Sequence, residues 1–185
     1  SMQDRGLVRL FYITNIFIFE ETGKKSRERW QCGVELIGVG SPVADTELIA
    51  MSLEVLKKLN LTGVEMRLSH AGLIKSFLEK LGLSRDEQTR LFDEILDGDT
   101  AALAKIRPDT PELESVLLPL LNLKGQSSGF LKNIKAIAVS NFPEIVPHID
   151  DFISIVDILK ALGCKCHIDI ASGAGFEYYT GVIFQ

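Results

Sequence analysis

Residues 27–38 read Arg27-Glu28-Arg29-Trp30-Gln31-Cys32-Gly33-Val34-Glu35-Leu36-Ile37-Gly38, and a strand is predicted over 28–39. The preceding residues 7–21 are rich in aromatic and β-branched types, which favour a half-buried or buried strand. Only a polar turn at 22–26 separates the two segments. Because so short a link forces neighbouring strands to run in opposite directions, the sequence predicts a long antiparallel hairpin.

One face of the second predicted strand carries Gln31, Gly33 and Glu35, since side chains alternate between the two faces of a strand. Gly33 has no side chain and therefore leaves room for another group to approach the sheet. A small polar ligand fits this pattern. The same pattern also arises when Gln31 and Glu35 face solvent, and spacing alone favours this second interpretation, because polar outward faces are common in antiparallel sheets.

Outward from the hairpin, the spacing of apolar residues predicts further helices and strands. Gly40-Ser41-Pro42 breaks the second strand, and Gly163 ends the last helix. The predicted helices cover 44–60, several short stretches between 71 and 133, and a long amphipathic segment from Pro143 toward 161. The predicted strands are 64–69, 134–139, 165–170 and 176–184.

This order of elements predicts an α+β fold, with an antiparallel sheet that carries helices and is interrupted by a helical insertion. We divide the chain into a first part of the core at 3–83, the helical insertion at 84–131 and a second part of the core at 132–185. No internal repeat or low-complexity tract is present, which argues against a solenoid or a disordered chain.

Composition excludes several classes of function. The 185 residues are 46% hydrophobic and 24% charged with a formal net charge of −5, so bulk nucleic-acid binding is not expected. No apolar run approaches the roughly 18 to 20 residues that span a bilayer, and no signal peptide is recognised, so we expect a cytoplasmic protein without membrane contact.

Three cysteines, Cys32, Cys164 and Cys166, are expected to be reduced thiols, because their number is odd and two form a tight C-x-C pair. Cys166 and His167 point to opposite faces of a strand, and no second pair of ligands is present. We therefore expect neither a metal site nor a cofactor.

A second informative stretch reads Ser172-Gly173-Ala174-Gly175-Phe176-Glu177-Tyr178-Tyr179-Thr180-Gly181. A strand rather than a helix follows its glycines, so no helix N-terminus is available for a pyrophosphate and a dinucleotide site is not indicated. The tyrosine pair beside Glu177 fits the wall of a pocket, while ordinary aromatic packing on a strand explains the same spacing and is favoured on spacing alone.

Taken together, the two stretches resemble the histidyl-tRNA synthetase family. Residues 31–35 look like the strand after class II motif 2, and residues 44–49 look like the helix that follows it. Residues 175–181 look like that family's histidine-recognition signature. The resemblance implies a class II aminoacyl-tRNA synthetase-like fold. It covers nearly the whole chain, although the family's motifs 1 and 3 have no counterpart, so it also implies a chain truncated at both ends.

The resemblance implies roles for five residues in binding L-histidine. Gln31 would contact the α-amino group, while Glu35 and Tyr179 would address the imidazole, with Glu177 and Tyr178 beside them. An acceptor oxygen can receive an imidazole N–H and a phenol can satisfy the other ring nitrogen, so the chemistry is consistent.

Two departures from the enzymes' pattern argue against catalysis. The family's motif 2 arginine is replaced by Ile18, and the arginine that opens the histidine signature is replaced by Ala174. Fixed cations at these positions would stabilise charge on the reacting phosphorus, and such stabilisation is commonly the largest catalytic term. The sequence therefore predicts a protein without catalytic residues that retains histidine recognition.

This combination resembles the regulatory subunits of ATP phosphoribosyltransferase, and the segment around His70 supports the likeness. The resemblance implies a role in histidine biosynthesis, a catalytic-subunit partner, and a homodimer or hetero-oligomer for the full-length protein. His70 itself is equally consistent with a core or capping histidine and receives no ligand role. The alternatives are a fragment of an active histidyl-tRNA synthetase and an interaction domain that binds no small molecule.

Overall fold

The structure is a computed structural model that describes residues 6–17, 28–96, 124–170 and 179–185. Six strands and five helices lie in these ranges, together with a 3-10 turn at Pro143–Ile145. The strands are β1 (Val8–Phe17), β2 (Glu28–Ile37), β3 (Met66–His70), β4 (Lys124–Gly125), β5 (Cys166–Asp169) and β6 (Val182–Phe184). The helices are α1 (Pro42–Lys58), α2 (Ala71–Glu79), α3 (Arg85–Leu96), α4 (Ser128–Asn141) and α5 (Val146–Ala161).

The antiparallel hairpin is confirmed. Strands β1 and β2 pair over their full length, from Val8 opposite Ile37 to Phe17 opposite Glu28. The expectation that the first strand is buried is wrong, because the hairpin forms a two-stranded sheet of its own and most of its side chains are exposed. The face that carries Phe11, Ile13 and Trp30 is apolar, with exposed fractions of 78%, 68% and 76%.

A second sheet has four strands in the order β4-β5-β3-β6. Strand β3 lies parallel to β5 and antiparallel to β6, and β4 lies antiparallel to β5. The α+β class is confirmed, but the parallel pair was not foreseen. Parallel strands need a long crossover connection, and the segment between β3 and β5, which contains α2 to α5, provides it.

The core is built by α2, α4 and α5 against one face of β3 and β5. Leu68 and Ile168 on the strands have no exposed surface, and neither have Phe77 on α2 and Phe152 on α5. The long amphipathic helix after Pro143 is confirmed as α5 preceded by the 3-10 turn, and Gly163 after it adopts a positive φ of 79°. In the described ranges no helix is long and apolar enough to span a bilayer.

The strand predicted at 134–139 is wrong, because these residues lie inside α4. Leu131, Ile134 and Ala138 are buried at three- and four-residue spacing, whereas Ile137 and Val139 are 44% and 55% exposed. Spacing of three and four residues is typical of one face of a helix. The alternation of apolar residues in the same stretch is also compatible with a strand, and it led to the wrong prediction.

The helical insertion remains a prediction, since most of it, 97–123, lies outside the described residues. Helix α3 covers its start, and its predicted end at 131 lies within α4. Of the strand predicted at 176–184, β6 covers 182–184, and 176–178 lie outside the described residues.

Candidate functional site

One face of the hairpin brings together two of the five predicted histidine-binding residues. The register places Gln31, Gly33 and Glu35 of β2 opposite Thr14, Tyr12 and Leu10 of β1, so all six lie on the same face. Gln31 and Glu35 are exposed. The shared face predicted for Gln31 and Glu35 is confirmed.

The surface over Gly33 is covered by the ring of Tyr12. A Cβ atom added at Gly33 would collide with the phenol ring, and the Nε2 of Gln31 donates a hydrogen bond of 2.9 Å to the Tyr12 hydroxyl. Gly33 therefore does leave room for a close approach, but the group that uses it comes from the neighbouring strand. Tyr12 was not among the predicted site residues, because the turn predicted at 22–26 does not give the register that pairs Tyr12 with Gly33.

Tyr179 lies elsewhere, at a cleft of about 490 Å³ between the start of α1, helix α5 and the segment leading into β6. Ser41 and Asp45 at the start of α1, Asp151 of α5 and Thr180 also line this cleft. The backbone carbonyl of Tyr179 accepts a 2.8 Å hydrogen bond from Lys75 Nζ. Neither Gln31 nor Glu35 is among the described residues that line the cleft.

The strand pairing expected for this pocket is wrong within the described residues. The resemblance to the synthetase family implies that the C-terminal strand lies antiparallel and adjacent to the strand that carries Gln31 and Glu35, whereas β2 pairs with β1 and β6 pairs with β3. Two of the predicted binding residues lie outside the described residues, namely Glu177 and Tyr178. The two positions at which the sequence departs from the enzymes' arginines, Ile18 and Ala174, also lie outside them. The five-residue histidine pocket thus stays a prediction.

Two carboxylates, those of Asp45 and Asp151, line the cleft and repel each other. Burial, and secondly the negative charge of Asp151, raise the pKa of Asp45 above its ordinary value. These residues are about a hundred positions apart in the sequence, so no local sequence pattern predicted that they line the same cleft. The cleft consequently favours a positively charged group between Asp45 and Asp151 over an anion.

His70 lies beside Asp151, one of the residues that line the cleft, and is only 1% exposed. Its Nδ1 accepts a 3.3 Å hydrogen bond from the backbone N–H of Leu73 and thereby caps α2, so its Nε2–H is directed toward Asp151 Oδ2 at 3.4 Å. Burial lowers the pKa of His70, partly offset by the hydrogen bond to Asp151, while the charge of nearby His148 lowers it further. The capping interpretation of His70 is confirmed.

A further cleft of about 400 Å³ lies on the four-stranded sheet and is lined by residues of β4, β5 and β3. Its charged groups are already paired, with Lys124 Nζ 2.8 Å from Asp169 Oδ2, and Gln126 Nε2 lies 3.3 Å from Nδ1 of His167. Because these groups satisfy one another, the cleft presents little uncompensated charge to a ligand.

The cysteines are free thiols, as expected from the sequence. Burial, and secondly the neighbouring Cys164, raise the pKa of the Cys166 thiol. Within 6–17, 28–96, 124–170 and 179–185, no group of three or more His, Cys, Asp or Glu side chains is arranged to hold a metal ion.

Comparison with known proteins gives consistent matches along the chain. The sequence pattern of histidyl-tRNA synthetase matches residues 1–185. The ATP phosphoribosyltransferase regulatory subunit of Dehalococcoides mccartyi strain BAV1 is 52% identical over 185 residues, which make up 100% of this chain and 45% of that protein. The histidine–tRNA ligase of Methanococcus maripaludis strain C7 is 34% identical over 184 residues, 96% of this chain and 43% of that protein.

Solved structures share the fold. A protein from Bacillus halodurans described as an ATP phosphoribosyltransferase regulatory subunit/histidyl-tRNA synthetase has a TM-score of 0.81 at 23% identity, over 96% of this chain and 47% of its own. The ATP phosphoribosyl transferase complex from Thermotoga maritima contains a chain with a TM-score of 0.69 at 17% identity, over 99% of this chain and 64% of its own.

These matches define the fold as that of the class II aminoacyl-tRNA synthetase-like domains, as the sequence resemblance implied. The chain belongs to the histidyl-tRNA synthetase family. It spans about 45% of the length of the Dehalococcoides relative.

Proposed function

We propose that this chain is part of a regulatory subunit of ATP phosphoribosyltransferase, which acts in histidine biosynthesis without catalysing a reaction itself. The observation that carries the proposal is 52% identity, along the whole chain, to a protein that bears this name. The histidine–tRNA ligases of Methanococcus match at 30 to 34%, so the sequence is closer to the Dehalococcoides regulatory subunit than to those enzymes.

The proposed partners are an ATP phosphoribosyltransferase catalytic subunit and L-histidine. A likeness in fold to a chain of the Thermotoga maritima complex is consistent with assembly into a hetero-oligomer. Histidine would act by favouring a low-activity arrangement of that assembly, which requires unequal affinity for two states. A coupling of this kind between separate sites is typically worth about 1 to 3 kcal/mol.

The proposed sensor is the predicted set Gln31, Glu35, Glu177, Tyr178 and Tyr179. Support comes from the hairpin face, on which Gln31 offers an amide and Glu35 a carboxylate four residues along the same strand. In the described residues Tyr179 lies at a different cleft, so closure of the sensor requires the C-terminal segment and the hairpin to approach each other in the full-length protein.

The experiment is inhibition of the reconstituted assembly by histidine, with Glu35→Gln in the full-length protein. The substitution removes an anionic acceptor without opening a cavity, so the inhibitory histidine concentration should rise about tenfold, as expected for the loss of one charge-assisted hydrogen bond. Uninhibited activity and assembly should not change. Glu54→Gln is the matched control, because Glu54 is a half-exposed carboxylate on α1 that pairs only weakly with Lys57 at 3.8 Å.

Inhibition of the Glu35→Gln assembly at the wild-type histidine concentration would place the sensor elsewhere and contradict the proposal.

A fragment of an active histidyl-tRNA synthetase is the second candidate, favoured by the 34% identity to the Methanococcus enzyme. Histidine-dependent pyrophosphate exchange distinguishes the two. Because Ile18 and Ala174 replace cations, we expect exchange no faster than without protein, and measurable exchange would support the enzyme.

A further inference from the structure

The hairpin face holds a three-residue arrangement in which Tyr12, a residue without a role in the proposed function, contacts Gln31 and Gly33. We refer to Tyr12, Gln31 and Gly33 as the Tyr12 cluster. Tyr12 lies directly opposite Gly33, its ring covers the glycine, and its hydroxyl accepts the hydrogen bond from Gln31 Nε2. Tyr12 is 37% exposed, so part of the ring remains accessible from above the sheet.

The hydrogen bond determines which end of the Gln31 amide is available. A glutamine amide has two N–H donors and one carbonyl acceptor, and here the nitrogen is directed at the phenol oxygen. The carbonyl oxygen Oε1 is therefore turned away from Tyr12. An acceptor in that position suits an ammonium group and disfavours a carboxylate.

The aromatic ring of Tyr12 lies between Gln31 and Glu35 along β2. Gln31 and Glu35 are four residues apart on one strand, which separates their Cα atoms by roughly 13 Å at 3.3 Å per residue. Gly33 lies midway, and the Tyr12 ring covers it. A ligand that contacts both Gln31 and Glu35 must therefore lie across the ring, where a flat or cationic side chain stacks favourably.

We infer that Tyr12 is a positioning and specificity-determining residue of the proposed histidine site. It orients Gln31 so that Oε1 receives the α-amino group of the ligand, and its ring forms the floor between Gln31 and Glu35. The ligand class is a free α-amino acid with a planar, nitrogen-containing side chain. This inference rests on the proposed function.

Binding calorimetry on the full-length protein tests the inference with two ligands, L-histidine and imidazole-4-propionate, which lacks the α-amino group. The variant Tyr12→Phe keeps the ring over Gly33 and removes only the hydroxyl that holds Gln31. Affinity for histidine should fall about three- to tenfold, the range for one lost neutral hydrogen bond, while affinity for imidazole-4-propionate stays at its wild-type value. Thr14→Val is the matched control, because Thr14 lies opposite Gln31 on the same face and, among the described residues, its hydroxyl donates a hydrogen bond to Asn15 O at 3.5 Å rather than to Gln31.

A double-mutant cycle separates positioning from a general structural effect. If Tyr12 acts through Gln31, then Tyr12→Phe in a Gln31→Leu background should cause no further loss of histidine affinity. Equal loss for both ligands, an unchanged histidine affinity, or additive effects in the double mutant would overturn the inference while leaving the proposed function intact. A wild-type protein that binds neither ligand would overturn both.

Discussion

Replacement of His70 tests the account of the cleft most directly, because this side chain joins β3, α2 and α5. It is 1% exposed, it caps α2 through the N–H of Leu73, and it faces Asp151 of α5. The variants His70→Ala and His70→Asn separate these contributions. Alanine removes the cap, the packing and the contact with Asp151, whereas asparagine retains a side-chain oxygen that can cap the helix.

The expected magnitudes follow from the contacts. Loss of an N-cap costs about 1 kcal/mol, and truncation of a fully buried side chain adds a cavity cost, so His70→Ala should lower the free energy of unfolding by about 2 to 4 kcal/mol. His70→Asn should recover about 1 kcal/mol of that loss. Ring contacts with His148 and Phe152, at centroid distances of 5.4 and 5.7 Å, are lost in both variants.

The pH dependence gives a second, independent signature. Burial lowers the folded-state pKa of His70 below the unfolded value of about 6.5, so between these two values the unfolded chain binds more protons. The contribution of His70 to stability is therefore present above the unfolded pKa and is lost as pH falls toward the folded pKa. Its slope cannot exceed about 1.4 kcal/mol per pH unit for one proton, and His70→Asn should remove it.

Urea unfolding monitored by circular dichroism between pH 7.5 and 5.5 measures both effects. The difference in slope between wild type and His70→Asn isolates the contribution of His70. A His70→Ala protein within about 0.5 kcal/mol of wild type, the range of ordinary surface substitutions, would refute the cap and the packing. An unchanged pH slope in His70→Asn would refute the lowered pKa.

Three further predictions concern the core, the cleft and the thiols. Phe152→Ala should lower the free energy of unfolding by about 3 to 5 kcal/mol in the same assay, because Phe152 has no exposed surface, and a loss under 1 kcal/mol would contradict its central position. Asp45→Asn should raise the urea midpoint at pH 7, because burial and repulsion from Asp151 raise the pKa of Asp45 and make its charged form unfavourable. The gain in stability should shrink toward pH 4, where wild-type Asp45 becomes protonated. A lower midpoint at pH 7 would show that the charge of Asp45 is stabilising. Iodoacetamide at pH 8 should modify exposed Cys32 before buried Cys166, as followed by peptide mass spectrometry, and the reverse order would contradict the structure.

The sequence by itself determined the elements whose signals are local. The short polar link between two strand-like segments required antiparallel pairing, and β1 and β2 do pair in that way. Apolar residues at helical spacing identified α1 and α5, and alternation along β2 placed Gln31 and Glu35 on one face. The resemblance to the synthetase family also identified the fold before any contact was known.

Only the tertiary structure decided which segments meet. The sequence pattern around Ile134 fits both a strand and a helix, and α4 formed because packing against the core buries its Leu131, Ile134 and Ala138 together. The side-by-side position of β3 and β5 depends on a crossover of nearly a hundred residues, for which no local pattern exists.

The same limit applies to the site. Gly33 signalled a close approach, but the sequence did not show that the Tyr12 ring occupies it, because that outcome depends on the hairpin register. His70 and Asp151 are 81 positions apart, and their contact exists only because α5 packs beside the N-terminus of α2. Local residue patterns determine elements and their faces, whereas contacts between distant segments depend on how all the elements share one core.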